Sequence, residues 1–414
     1  MKPELLAPAG NLRKLKCALN FGADAVYAGC KAFSLRAFAD NFTEEELAEG
    51  IAYAHARGKK VYVAVNIFAR NADLSAMEEM FVRLQAMKAD AALVSDLGAL
   101  ALCRRAAPAL PVHVSTQANV TNLEAARAFH ALGASRVVLA RELSFAEIAA
   151  IHAACPLLEL ECFVHGAMCI SYSGRCYLSD YLDGRPANRG ACVQACRRAY
   201  RIRSAGQDGW CDLEEDGRGT YVMNSRDLNL SAHLAELAAA GVVSFKIEGR
   251  MKSEYYLATV VNAYRRILDG ADAAALASEL ECVDHRAYTT AYALGENHDT
   301  VLADGSQTAG TCEFVAVVLS WKDGRACVEM RNRFREGETL EILSPGPSFG
   351  KSFAVQDLRD SAGAPCADAK LVQEHYTCSC PFPLAAGDLL RRRKLHPSAE
   401  KSLPNGGKTG IIKG

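Results

Sequence analysis

Four cysteines, Cys169, Cys176, Cys192 and Cys196, fall within 28 residues in the pattern C-x6-C-x15-C-x3-C. With 16 cysteines in 414 residues, about one would fall in such a window by chance. In a compartment that keeps thiols reduced, four clustered thiolates hold either a structural zinc ion or an iron–sulfur cluster. Structural zinc favours two tight Cys-x2–4-Cys pairs, and only Cys192 and Cys196 have that spacing, which tilts the pattern toward a cluster while leaving zinc open. Gly166, Gly174, Gly184 and Gly190 stand among the cysteines and would let the backbone bend until four sulfurs converge. The bland alternative is four unrelated core thiols, since cysteine is among the most buried residue types.

A second set of reactive types stands at the ends of apolar runs: Asn66, Gln117, Arg141, His165, Lys246, Glu248 and Arg250. In KIEGR, Lys246 and Glu248 are two apart, so on a strand they share one face while Ile247 takes the other. That pairing, with Arg250 just beyond, suits an anion or a polar substrate. For any one of the others, a strand end that is simply wet is the plainer reading. His165 precedes Cys169 by four residues, so a Cys/His dyad is conceivable, but a cysteine that holds metal cannot also be a free nucleophile. Neither H-E-x-x-H nor G-x-S-x-G occurs. Two basic runs, RRAYRIR (197–203) and RRRK (391–394), could grip phosphates and stack bases, or be solvated strand faces.

The elements that must position these residues are legible as a rhythm. Short apolar runs at 4–9, 24–29, 61–66, 91–96, 112–117, 136–141 and 158–166 alternate with amphipathic stretches at 43–57, 74–87, 97–107, 122–132 and 144–153. Strands rich in Val, Ala and Leu without alternation are buried on both faces, which means a parallel sheet under helices. Thr43 and Ser144 are expected helix caps, the latter with Glu147 at capping-box spacing. After an aperiodic insertion at 166–220, 224–241 reads as a turn and helix, 243–250 as a strand and 253–270 as a helix. Eight βα units over residues 1–270 predict a (β/α)8 barrel of TIM type, with reactive groups at the C-terminal strand ends. A linker (271–305), a small C-terminal β-barrel (306–396) and a flexible tail (397–414) are expected to follow.

Composition narrows the class further. The chain has 47 basic and 48 acidic residues and a net charge of −1, which excludes a protein that coats nucleic acid without specificity. No run approaches the ~20 apolar residues of a membrane helix, and MKPELLAPAG has no apolar core of signal-peptide length. The expectation is a cytoplasmic protein with no membrane contact and with reduced thiols.

The segment ELECFVHGAMCISYSGRCYLS closely resembles the signature of peptidase family U32, the collagenase-like proteases. LLAPAGN, GADAVYAG, VHVSTQANVTN, NRGACVQACRRAY, MNSRDL and FKIEGRMKS extend the resemblance from residue 2 to about 270, and the C-terminal part resembles that family's extension. The family name implies proteolysis, yet the resemblance also implies members that hydroxylate RNA or quinones with a 4Fe-4S cluster. The subgroup most similar to this chain implies prephenate-dependent hydroxylation of the wobble uridine of tRNA to 5-hydroxyuridine, in view of the four cysteines and the chain length. Ribosomal-RNA cytidine hydroxylases are similar but usually carry extra C-terminal sequence, and ubiquinone-pathway members lack the β-domain. The resemblance assigns the cluster to Cys169, Cys176, Cys192 and Cys196. It implies tRNA and prephenate or a similar small anionic donor as partners; an electron-donor protein is a further candidate that the sequence leaves open. It identifies no donor-binding residue, so Arg141, Lys246 and Arg250 stand as dicarboxylate candidates on chemistry alone.

Overall fold

The computed structural model describes residues 2–30, 33–34, 41–198, 215–216, 219–220, 224–295, 300–301 and 308–394. Seven parallel strands open the chain: β1 (Glu4–Pro8), β2 (Ala25–Gly29), β3 (Lys60–Ala64), β4 (Ala91–Val94), β5 (Val112–Val114), β6 (Arg136–Val138) and β7 (Glu159–Ala167). An eighth strand, Val242–Ile247, pairs in parallel with both β7 and β1 and closes the sheet into a (β/α)8 barrel. Helices α1 (Leu12–Asn20), α2 (Glu44–His55), α3 (Leu74–Ala86), α4 (Leu97–Ala106), α5 (Leu123–Ala131) and α6 (Phe145–Ala154) each follow the strand of the same number. Every residue of β2 and β4 is buried, as expected for strands covered on both faces. Thr43 and Ser144 each form a complete capping box, with Glu46 and Glu147 respectively.

The region 224–241 departs from the expected turn and helix. β7 runs nine residues, past the barrel rim, and its end recruits Asp227–Asn229 as an antiparallel partner, with Tyr288–Thr289 beyond it. The helix that follows, α8 (Leu234–Ala239), is correspondingly short. Asp227 is fixed there by a buried ion pair with Arg286, 2.6 Å long. α9 (Glu254–Leu268) follows the closing strand, and the stretch after it contains α10 (Ala273–Leu280) as well as Tyr288–Thr289.

The barrel interior carries a charged layer rather than apolar packing alone. Glu161, wholly buried on β7, lies 2.6 Å from Lys246 and 3.1 Å from Arg136, which also binds Glu4 at 2.7 Å. Tyr62 donates to Glu4 at 2.7 Å, and the buried His113 ring stands edge-on to Tyr62. Burial, aided by Arg136, pushes His113 down to about 3, so it is neutral at physiological pH.

The C-terminal unit is an antiparallel sheet in the order Ser352–Ala354, Thr339–Leu343, Leu389–Arg393, Cys312–Lys322, Arg325–Met330, His375–Ser379, Gln356–Arg359. Its two edge strands are consecutive in the chain, separated only by Val355, so the sheet curls into a small barrel around its own core.

The basic run at 391–394 does not form a phosphate-binding face. Arg391 is fully buried and binds Glu279 of α10 and Glu341, while Arg392 binds Glu313 and Glu338, and Arg393 binds Glu341. Successive arginines on a strand point to opposite sides, and here each side meets carboxylates. Arg391→Met should therefore destabilise the protein by about 3 kcal/mol in urea unfolding, because two buried carboxylates lose their buried cation and keep only the half-exposed Arg393. Most of the other basic run, 199–203, and the tail 397–414 lie outside the described residues.

Candidate active site

The C-terminal ends of the barrel strands surround a cavity of about 220 Å³, roofed by the cysteine-rich insertion. The insertion leaves β7 at Ala167 and is pinned at several points. Arg141 donates to the Ala167 carbonyl and the Ser173 hydroxyl, both at 2.9 Å. Asn119 donates to the Ser173 carbonyl at 3.0 Å and accepts from Arg175. Arg189 holds Asp73 through both terminal nitrogens, at 2.9 and 3.0 Å. The insertion folds as α7 (Leu178–Asp183) and two single-turn helices at Ala187–Arg189 and Ala195–Arg197.

Cys169, Cys176, Cys192 and Cys196 all line this one cavity as free thiols, and none is buried in an apolar core. Burial pushes the Cys196 thiol up against the opposing charge of Arg197, and the three other cysteines nearby add to the rise. The backbone N–H groups of Leu178 and Gln194 point at the sulfurs of Cys176 and Cys192, at 3.5 and 3.4 Å. Such donors stabilise sulfur that carries negative charge. Among the described residues, no three His, Cys, Asp or Glu side chains form a set that could hold one metal ion. Four thiols lining one cavity are a donor set suited to a group that takes four thiolates.

Gly174 is required by the backbone here. Its φ is +76°, and a Cβ would lie 1.7 Å from the Gln117 Oε1. Gly174→Ala should cost about 1–2 kcal/mol for the left-handed backbone and displace the Gln117 amide. A modest fall in Tm by differential scanning calorimetry would show it.

Of the strand-end candidates, Asn66, Gln117, Arg141, Lys246, Glu248 and Arg250 line the cavity. Asn66 donates to the Ser115 hydroxyl at 3.2 Å, and Glu248 accepts from Tyr27 at 3.1 Å. Arg250 donates to Ser34 and Asn41, and Gly29 gives it room: a Cβ there would stand 2.5 Å from the guanidinium. Lys246 reaches the cavity while bound to Glu161, its ammonium 4.5 Å from the Tyr27 ring centre. Arg141, whose two terminal nitrogens hold the insertion, works first as a strut.

His165 is not brought to the cavity. Its Nδ1 lies 3.2 Å from the Tyr264 hydroxyl, with Tyr256 and Tyr288 around the ring, and burial holds its pKa down at about 3. The cause is a register shift between β7 and the closing strand. Phe163 pairs with Lys246 and His165 with Ile247, so β7 carries one extra residue, Val164. This bulge turns His165 to the outer side, away from Phe163 and the thiols.

Two further cations line the cavity: Arg197, the first residue of the basic run 197–203, and Lys252, just past KIEGR. Burial pushes both down, and Lys252 donates to the Asp284 carbonyl at 3.1 Å. Tyr27 was hidden inside an apolar run. The lining charges are then Arg141, Arg197, Lys246, Arg250 and Lys252 against Glu248, an arrangement for an anionic ligand.

Among the described residues, no helix is long and apolar enough to cross a membrane. Two family models match the chain, Peptidase family U32 over residues 10–302 and Peptidase family U32 C-terminal domain over residues 310–391. The chain is similar to tRNA hydroxylation protein P of Helicobacter pylori strain 26695, 44% identical over 73% of this chain and 76% of that one. It is similar to tRNA hydroxylation protein P of Escherichia coli, 35% identical over 92% and 94%. With the 23S rRNA 5-hydroxycytidine C2501 synthase of Escherichia coli it shares 37% identity over 64% of this chain and 39% of that one. A barrel carrying four cysteines on one excursion, a second unit matched by its own model, and identities of this size over most of the length have one reading: the chain belongs to peptidase family U32.

Proposed function

We propose that this protein hydroxylates the wobble uridine of tRNA to 5-hydroxyuridine, taking the hydroxyl from prephenate or a similar small anion. A 4Fe-4S cluster on Cys169, Cys176, Cys192 and Cys196 is part of the proposal. The observation that carries it is that four free thiols and five cationic side chains line one cavity at the reactive end of the barrel. The relatives named tRNA hydroxylation protein P support the substrate class, and the match to the rRNA enzyme stops at 39% of that longer chain. Replacing C5–H by C5–OH is a two-electron oxidation of the base, which favours a site able to handle electrons. Bound to the thiolates, the cluster supplies a redox-active iron centre there.

The chain's own residues have separable tasks. Arg250, held rigid by Ser34 and Asn41, and Lys252 offer charge to the carboxylates of the donor. Asn66 and Gln117 present amides for hydroxyl or carbonyl groups. Phe163 and Met168 line the cavity with apolar surface and displace water from the donor. A peptidase would need an activated nucleophile, and His165, the imidazole nearest in sequence, faces away.

Nucleoside analysis of tRNA from a deletion strain, with and without the gene restored, tests the proposal. 5-Hydroxyuridine and its derivatives should vanish and return with the wild-type gene. Unchanged levels in the deletion strain would refute it.

A further inference from the structure

A second pair of sulfurs meets at the seam between the barrel and the C-terminal sheet. Cys282 lies two residues past the end of α10, and Cys312 is the first residue of the strand Cys312–Lys322. Both are free thiols and both are buried, yet their sulfurs stand 3.1 Å apart. Disulfide sulfurs stand about 2.05 Å apart, so bond formation needs an approach of about 1 Å.

We propose that Cys282 and Cys312 are a redox-active dithiol that closes to a disulfide by exchange with a low-molecular-weight disulfide, stapling the C-terminal sheet to the barrel.

The surroundings favour a thiolate in this pair. The two sulfurs share one hydrogen bond, with Cys312 donating to Cys282, and the guanidinium groups of Arg391 and Arg393 favour negative charge on the pair. Arg393 approaches the Cys282 sulfur at 3.9 Å and Thr311 at 3.8 Å, while Glu279 and Glu341 fix both arginines. A cavity of about 390 Å³, lined by both cysteines with Ser253, Asp284, Phe314 and Lys394, gives a small disulfide a way in.

The exchange balances in two steps. One cysteine of the pair, as thiolate, attacks one sulfur of the incoming disulfide, whose S–S bond breaks, and one thiolate leaves. The other cysteine then loses its proton, attacks the protein sulfur of the mixed disulfide, and expels the second thiolate. The dithiol gives up two electrons, and the small disulfide becomes two thiols.

The test uses the full chain, purified without oxygen and incubated with oxidised glutathione as probe. Free thiols are then alkylated, and the protein is digested and mapped by mass spectrometry without reduction. The expected product is a peptide carrying Cys282 linked to Cys312, abolished by dithiothreitol and accompanied by a rise in Tm. Cys312→Ser and Cys282→Ala should each lose both the link and the Tm response. The wild-type map stands alone should either variant fail to fold. Recovery of Cys282 and Cys312 as two alkylated peptides, or as stable glutathione adducts, would overturn the proposal. So would an equal rise in Tm in Cys312→Ser. None of these readouts depends on tRNA hydroxylation.

Discussion

With Cys176 a ligand of the proposed cluster, Cys176→Ser is expected to lower tRNA hydroxylation by at least about 100-fold, because loss of a ligand should exceed the 10–100-fold typical of changes in its outer partners. Protein made without oxygen should be brown in the wild type, absorbing near ~400 nm, and nearly colourless in the variant, with iron lost in proportion. The fold should survive. Cys176 is half-buried in the insertion, outside both hydrophobic cores, and the barrel closes through β1, β7 and the strand Val242–Ile247 without it. Far-UV circular dichroism like that of the wild type, together with absent iron and unmodified tRNA, is the predicted combination. A variant that keeps its colour and full activity would remove Cys176 from the ligand set. A colourless wild type with one zinc per chain would instead replace the cluster by a structural ion.

Glu161→Gln is expected to act on stability, by about 3 kcal/mol at pH 7, because the buried Lys246 loses its carboxylate while Arg136 keeps Glu4 and Glu159. The effect should depend on pH in a definite direction. Burial alone would raise the Glu161 carboxyl, but Lys246 and then Arg136 overcome it and hold its pKa at about 2. A folded pKa below the unfolded value of ~4.3 means that the ionised carboxylate stabilises the fold fully above that value. The contribution is lost as pH falls toward about 2. Urea unfolding should therefore show a large gap between wild type and variant at pH 7 that narrows at about pH 3. A gap independent of pH would mean that the loss comes from packing and not from charge. Because Lys246 also lines the cavity, activity should fall in the same variant, with the ammonium freed from its anchor.

The repeating βα units of the barrel were readable from the chain because burial on both faces forces continuous apolar runs and each covering helix imposes its own period. Thr43 and Ser144 capped the helices they precede, since a capping box is made within four residues. The cysteine spacing told which four sulfurs to follow, and the motif resemblance told which family to expect. Such signals are local, and they pass intact from sequence to structure. Asp227–Asn229 did not, because its partner is the overhanging end of β7, far away in the chain.

What only the tertiary structure decided was direction and partnership. His165 stood among the strand-end candidates until one extra residue in β7 turned it outward. The arginines at 391–393 could be a phosphate grip or a solvated strand face until α10 and both neighbouring strands supplied carboxylates to them. Lys252, Arg197 and Tyr27 gained a place at the cavity, and Cys282 met Cys312, because barrel closure and sheet curling bring together segments with no sequence relation. Sequence periodicity records whether a residue is covered. Which group covers it depends on strand register and on the packing of distant elements, where a shift of one residue reverses the answer.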